Sequence, residues 1–137
     1  MGRKFNADTI GYLNLFSSLT NINAKDCFFK DSKLVFVVKE GDIGKAVGRE
    51  GSNINKIKKI FKKDIKVIEF SEDITKFVRN LIYPIQAQNI YKEDETVYIE
   101  AENNITKGKI YGRNRENLKN IKEIVDKYFK IRDIKIK

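Results

Sequence analysis

The stretch Gly44-Lys45-Ala46-Val47-Gly48-Arg49-Glu50-Gly51-Ser52-Asn53-Ile54 returns, altered, as Gly108-Lys109-Ile110-Tyr111-Gly112-Arg113-Asn114-Arg115-Glu116-Asn117-Leu118. Gly44, Lys45, Gly48, Arg49 and Asn53 each match the residue 64 positions later. The apolar pattern that follows also repeats, with Ile54, Ile57, Ile60 and Phe61 against Leu118, Ile121, Ile124 and Val125. Two glycines three residues apart, ahead of an amphipathic helix, leave backbone without β-carbons where a ligand can approach closely. Helix amides and a basic side chain beside such a loop favour an anion.

Outward from the loop, the chain reads as two copies of one element order. Residues 6–19 form a helix with Asn6 as N-cap, Asp8 in the first turn and Phe5 stapled on Ile10. Strands follow at Ala24 to Phe29 and Lys33 to Lys39, joined by a turn at Lys30-Asp31-Ser32. Leu34-Val35-Phe36-Val37-Val38 is apolar throughout, as in a strand covered on both faces. Asp42 caps a short helix from Ile43 to Val47, the loop follows, and a second helix runs from Ser52 to Lys62. Ile65 to Phe70 completes an αββααβ unit as its third strand.

Ser71 caps the next helix, which reaches Tyr83 before Pro84, the only proline, marks a junction. That helix serves the second unit as residues 6–19 serve the first. Strands are then expected at Ile85 to Tyr91 and Thr96 to Ala101 around the polar turn Lys92-Glu93-Asp94-Glu95. A short helix after Asn104, the altered loop, a helix from Glu116 to Tyr128 and a strand from Ile131 to Ile136 finish it. The expected domains are 1–71 and 72–137, the second including its leading helix 72–83.

Bulk properties narrow the partners. The formal charge is +9, with 16 Lys/Arg against 10 Asp/Glu before Pro84 and 12 against 9 from there on. Both halves therefore favour a polyanion, nucleic acid or an anionic surface. No apolar run approaches the roughly 18 residues of a membrane span. The N-terminus has no signal-peptide apolar region, and the single Cys27 excludes an internal disulfide, which fits a cytoplasmic location. With no His and one Cys, histidine-based nucleophile systems and thiolate zinc sites are absent. The expectation is a protein that is not an enzyme and needs no cofactor.

An apolar-Gly-x-x-Gly string opening a helix, within the order αββααβ, resembles the type II (prokaryotic) KH fold. Two such units make the expected fold class α+β, two tandem type II KH domains. More narrowly, the chain resembles the archaeal NusA family of transcription termination and antitermination factors. Ala24 to Cys27, Val37 to Asp42, Gly48 to Gly51, Val67 to Asp73, and Phe77 to Leu81 with Pro84 carry that resemblance. It implies binding of single-stranded RNA, the nascent transcript, by a monomer, with RNA polymerase as a second partner and no membrane. Each loop would clamp about four nucleotides beside an apolar groove. Gly48, Arg49, Glu50 and Gly51 carry over as one clamp and Gly112, Arg113, Asn114 and Arg115 as the other. By the same resemblance Lys45 and Lys109 would be phosphate neighbours, and Ile43, Val47 and Ile54, with Val67 and Ile68 from the edge strand, would line the first groove.

Glu50 places a negative charge inside the first loop, and Arg115 stands where the second loop would carry its last glycine. Arg115 either strains or rebuilds that loop, or adds a phosphate contact. The domains that bacterial relatives carry beside their KH domains have no counterpart in this sequence, so polymerase attachment does not carry over from them. Lys56, Lys59, Lys62 and Lys63 read first as a solvated helix face; those near the helix start could touch phosphate, whereas Lys62 and Lys63 are expected to point elsewhere. Among the tyrosines, Tyr111 beside the second loop is the one candidate for stacking a base. Two other readings stand beside the first: a KH protein on structured RNA during ribosome assembly, and a tandem scaffold whose second unit binds protein.

Overall fold

Both glycine loops join helices that lie on one face of a three-stranded sheet, and each sheet belongs to its own unit. The computed structural model describes residues 7–30 and 32–137. These divide into the units Met1–Phe70 and Ser71–Lys137. The chain is mixed α+β, and its two sheets fit two KH-like units. The expected Asn6 cap, the Asp8 side chain, the Phe5–Ile10 staple and Asp31 of the first turn lie outside the described residues.

In the first unit α1 (Ala7–Thr20) precedes β1 (Asp26–Lys30) and β2 (Lys33–Val38). Then come α2 (Ile43–Val47), α3 (Ser52–Phe61) and β3 (Asp64–Glu69). The sheet order is β1-β2-β3, with β1 antiparallel to β2 and β3 parallel to it. β2 is central, which explains its unbroken apolar run: Leu34 to Val38 are all 0% exposed. Leu34, Phe36 and Val38 face the helices, and the Phe16 ring stacks on Phe36 at a centroid distance of 4.3 Å. Ala46 of α2 and Ile57 of α3 close the same core. Cys27 lies in it too; burial, helped by the neighbouring Asp26 carboxylate, pushes its thiol up to about 12.

The second unit comprises α4 (Ile74–Ile82), β4 (Asn89–Glu93), β5 (Thr96–Glu100), α5 (Asn104–Tyr111), α6 (Glu116–Asp126) and β6 (Asp133–Ile136). Its sheet repeats the pattern, antiparallel β4-β5 and parallel β5-β6. α4 buries Phe77, Val78, Leu81 and Ile82, and Phe77 meets Tyr128 edge-on at 5.7 Å.

Several element ends differ from the sequence expectation for identifiable reasons. Asp73, not Ser71, caps α4: its Oδ1 accepts from the Thr75 amide and hydroxyl at 3.0 and 2.8 Å. Ser71 is buried, and its hydroxyl instead accepts from the Asp73 amide at 3.2 Å. Asp42 precedes α2 but makes no side-chain cap, because its own backbone is already helical (φ −93°, ψ −5°). β4 starts at Asn89 rather than Ile85, since the Ile85 amide donates to the Ile82 carbonyl and turns the chain beyond Pro84. α4 stops at Ile82 as the pre-proline rule requires, with Tyr83 extended at ψ 137°.

Candidate nucleic-acid interface

The first loop begins where α2 ends. The Gly48 amide donates to the Gly44 carbonyl at 2.9 Å, closing the last turn. Gly48 then takes φ +81°, ψ 169°, and a single tight turn over Arg49–Gly51 leads into α3. Glu50 (φ 54°) and Gly51 (φ 76°) are both left-handed, and the Gly51 amide donates to the Gly48 carbonyl at 3.1 Å.

The two glycines have different physical duties. A β-carbon on Gly48 would stand 2.8 Å from the Asn53 amide nitrogen and 2.8 Å from the Ser52 hydroxyl. Backbone sits there, so no side chain fits. A β-carbon on Gly51 would find its nearest neighbour, Ile54 Cγ2, at 3.6 Å, an ordinary contact. Gly51 is therefore favoured by its left-handed backbone alone.

The second loop follows the first nearly angle for angle. Gly112 has φ 72°, ψ 176°, Asn114 φ 55° and Arg115 φ 61°, ψ 17°. Of the alternatives for Arg115, the chain keeps the turn and holds an arginine in the left-handed region, at a strain of about 1–2 kcal/mol. Its guanidinium lies 5.1 Å from the centre of the Tyr111 ring, a cation–π contact that offsets part of that strain. Gly112 has no such latitude: a β-carbon there would lie 2.5 Å from Asn117 Cβ.

Lys45, Arg49 and Glu50 are exposed around the first loop; Lys109, Arg113, Asn114 and Arg115 are exposed around the second. The first cluster holds two cations and one carboxylate, the second three cations. Ile43, Val47, Ile54 and Val67 are half-buried beside the first loop, and Ile43, Ile54 and Val67 also pack on the core. Ile68 leaves this groove: it alternates with Val67 along β3, so it faces the other side of the sheet, and it is buried. In the second unit Tyr111 and Leu118 occupy the places of Val47 and Ile54, both half-buried.

Two features escaped the sequence reading. The side-chain amide of Asn53 donates to the Lys45 carbonyl at 2.9 Å, and that of Asn117 to the Ile110 carbonyl at 2.9 Å. Each ties the helix after the loop to the helix before it. The repeat held the signal, since Asn53 and Asn117 match, but a match alone assigns no partner. The other is Glu69, whose Oε2 accepts from the Gly41 amide at 2.7 Å and fixes the entry to α2.

Independent comparisons agree with this geometry. A family model described as the KH domain matches residues 13–110. The chain is 33% identical to a protein from Methanococcus vannielii named "Probable transcription termination protein NusA", covering 97% of this chain and 79% of that one. A protein of the same name from Methanocaldococcus jannaschii is 29% identical, over 97% of this chain and 74% of the other. A solved structure described as "Crystal structure of APE1850" superposes with a TM-score of 0.73 at 27% identity, covering 97% of this chain and all of that one. The chain belongs to the KH-domain family and, within it, to the NusA-like KH proteins.

Proposed function

We propose that the chain is a non-catalytic factor that holds single-stranded RNA through two tandem type II KH domains, residues 1–71 and 72–137. It acts on the nascent transcript in termination or antitermination, as a monomer in the cytoplasm, with RNA polymerase as its second partner. The observation that carries this reading is the shared backbone of the two loops: both keep a left-handed turn, one of them at a cost in strain. A mere connector between helices has no need to hold an arginine there. Lys45 and Arg49 at the first loop, and Lys109, Arg113 and Arg115 at the second, lie against the path of a sugar–phosphate strand. Ile54 and Leu118 sit in the grooves where bases would rest. Glu50 makes the first loop the weaker phosphate site.

The test is titration with single-stranded oligonucleotides. With about four phosphates neutralised, log K falls with log salt at a slope near −3. Gly51→Asp is expected to lower affinity at least about tenfold by setting a carboxylate against the phosphates, while the left-handed backbone costs the fold only about 1 kcal/mol and leaves it intact. Unaltered binding in that variant rules out the first clamp. Co-purification with polymerase separates the transcription role from one in ribosome assembly, which predicts co-sedimentation with ribosomal subunits.

A further inference from the structure

At the end of α3 away from the glycine loop, Ser32, Lys58, Lys62, Lys63 and Asp64 line a shallow open depression. Lys58 lies four residues beyond Ile54, on the same stripe of the helix, so the groove side of α3 continues into this depression. α3 ends with Lys62 in the left-handed conformation, and the chain turns through Lys63 into β3. Among the described residues that line it, the three lysines share the depression with one carboxylate, that of Asp64. Beside them the Phe29 ring is 46% exposed and the Lys63 ammonium lies 5.4 Å from its centre.

We infer that Lys58, Lys62 and Lys63 form a second phosphate contact, on the same RNA strand, for nucleotides beyond those held at Gly48 to Gly51. This extends the RNA reading above and rests on it. Ten helical residues span about 15 Å. A stacked strand advances about 3.4 Å per nucleotide, so a tetranucleotide at the loop reaches the lysines only at its far end. A longer strand reaches them fully and can set a base against Phe29, as in sequence-tolerant single-strand binding. An acidic protein segment would use the charge but not the exposed ring or the continuity with the groove.

The experiment compares U4 and U12 oligoribonucleotides binding to the whole chain by fluorescence anisotropy. The triple substitution Lys58→Gln, Lys62→Gln and Lys63→Gln is expected to weaken U12 about tenfold and flatten its salt slope by about 2, leaving U4 within about twofold. Lys92→Gln, Lys130→Gln and Lys135→Gln together remove the same charge from exposed sites in the other unit. They should change U12 less than about twofold. The inference is overturned if the first triple leaves U12 unchanged, weakens U4 equally, or does no more than the control triple. It is also overturned if a poly-glutamate peptide at equal charge concentration displaces U12 from the unsubstituted chain. Gly51→Asp keeps the two ideas apart: weakening of neither oligonucleotide refutes the loop clamp, while loss of U12 in the lysine triple still supports the lysine contact.

Discussion

The side-chain amide of Asn53 donates to the carbonyl oxygen of Lys45 across the glycine loop, at 2.9 Å. One residue thus supports the end of α2 and fixes where α3 begins. Asn53→Ala removes the donor and is expected to cost about 1 kcal/mol in urea unfolding. Oligonucleotide affinity should fall with it, because the clamp loses its fixed spacing. Loss of stability with full affinity would show that the bond serves the fold alone.

Gly48→Ala and Gly51→Ala should separate cleanly. At Gly48 a methyl meets backbone at 2.8 Å, and the loop must open. At Gly51 the methyl fits, and the cost is the left-handed backbone, about 1 kcal/mol. Thermal melts of the two variants read the difference directly, and Gly48→Ala is expected to be the less stable by about 1 kcal/mol or more.

Arg115→Gly offers the converse. Removing left-handed strain gains about 1–2 kcal/mol, while extra freedom of the unfolded chain takes back about 0.4–1 kcal/mol. Loss of the contact with Tyr111 removes about 0.5–1 kcal/mol more. Stability should therefore move by less than about 1 kcal/mol either way. RNA affinity should drop, with the salt slope shallower by about 0.7, if the guanidinium contacts phosphate.

Alkaline pH pulls on the first unit in two directions. The Lys66 ammonium titrates near 8 in the folded chain against 10.5 unfolded, so between these values the unfolded chain binds more protons and stability rises with pH. The Cys27 thiol is held up near 12 against 9.0 unfolded, so the unfolded chain loses its proton first and stability falls from pH 9 upward. Urea midpoints measured from pH 7.5 to 10.5 should show Lys66→Met losing the rise and Cys27→Ala losing the fall. At pH 8.5 iodoacetamide should label Cys27 only as fast as the chain unfolds.

The order of elements was legible because the two units repeat one periodicity, and β2 announced its central place by five apolar residues in a row. The ends of elements were not, since they depend on local bonds with no composition signal. Ser71 and Asp73 both suit a helix start, and only burial of the serine decides between them. The loops were legible through their glycines, and a strained turn at Arg115 was among the alternatives the sequence left open, but the sequence did not decide between them. Arginine gives no sign of positive φ, and the space that admits its β-carbon exists only in three dimensions. Ile68 was misplaced because two adjacent strand residues were assigned to one groove, which alternation forbids.

The unequal burden on the two glycines of each loop bears on how such chains are searched for. A pattern demanding both glycines passes over the second loop here, although its backbone is intact. Gly48 with Asn53, and Gly112 with Asn117, keep one five-residue offset in both copies. That pair holds the parts sterics cannot spare, and makes the sounder query for degenerate members of the fold.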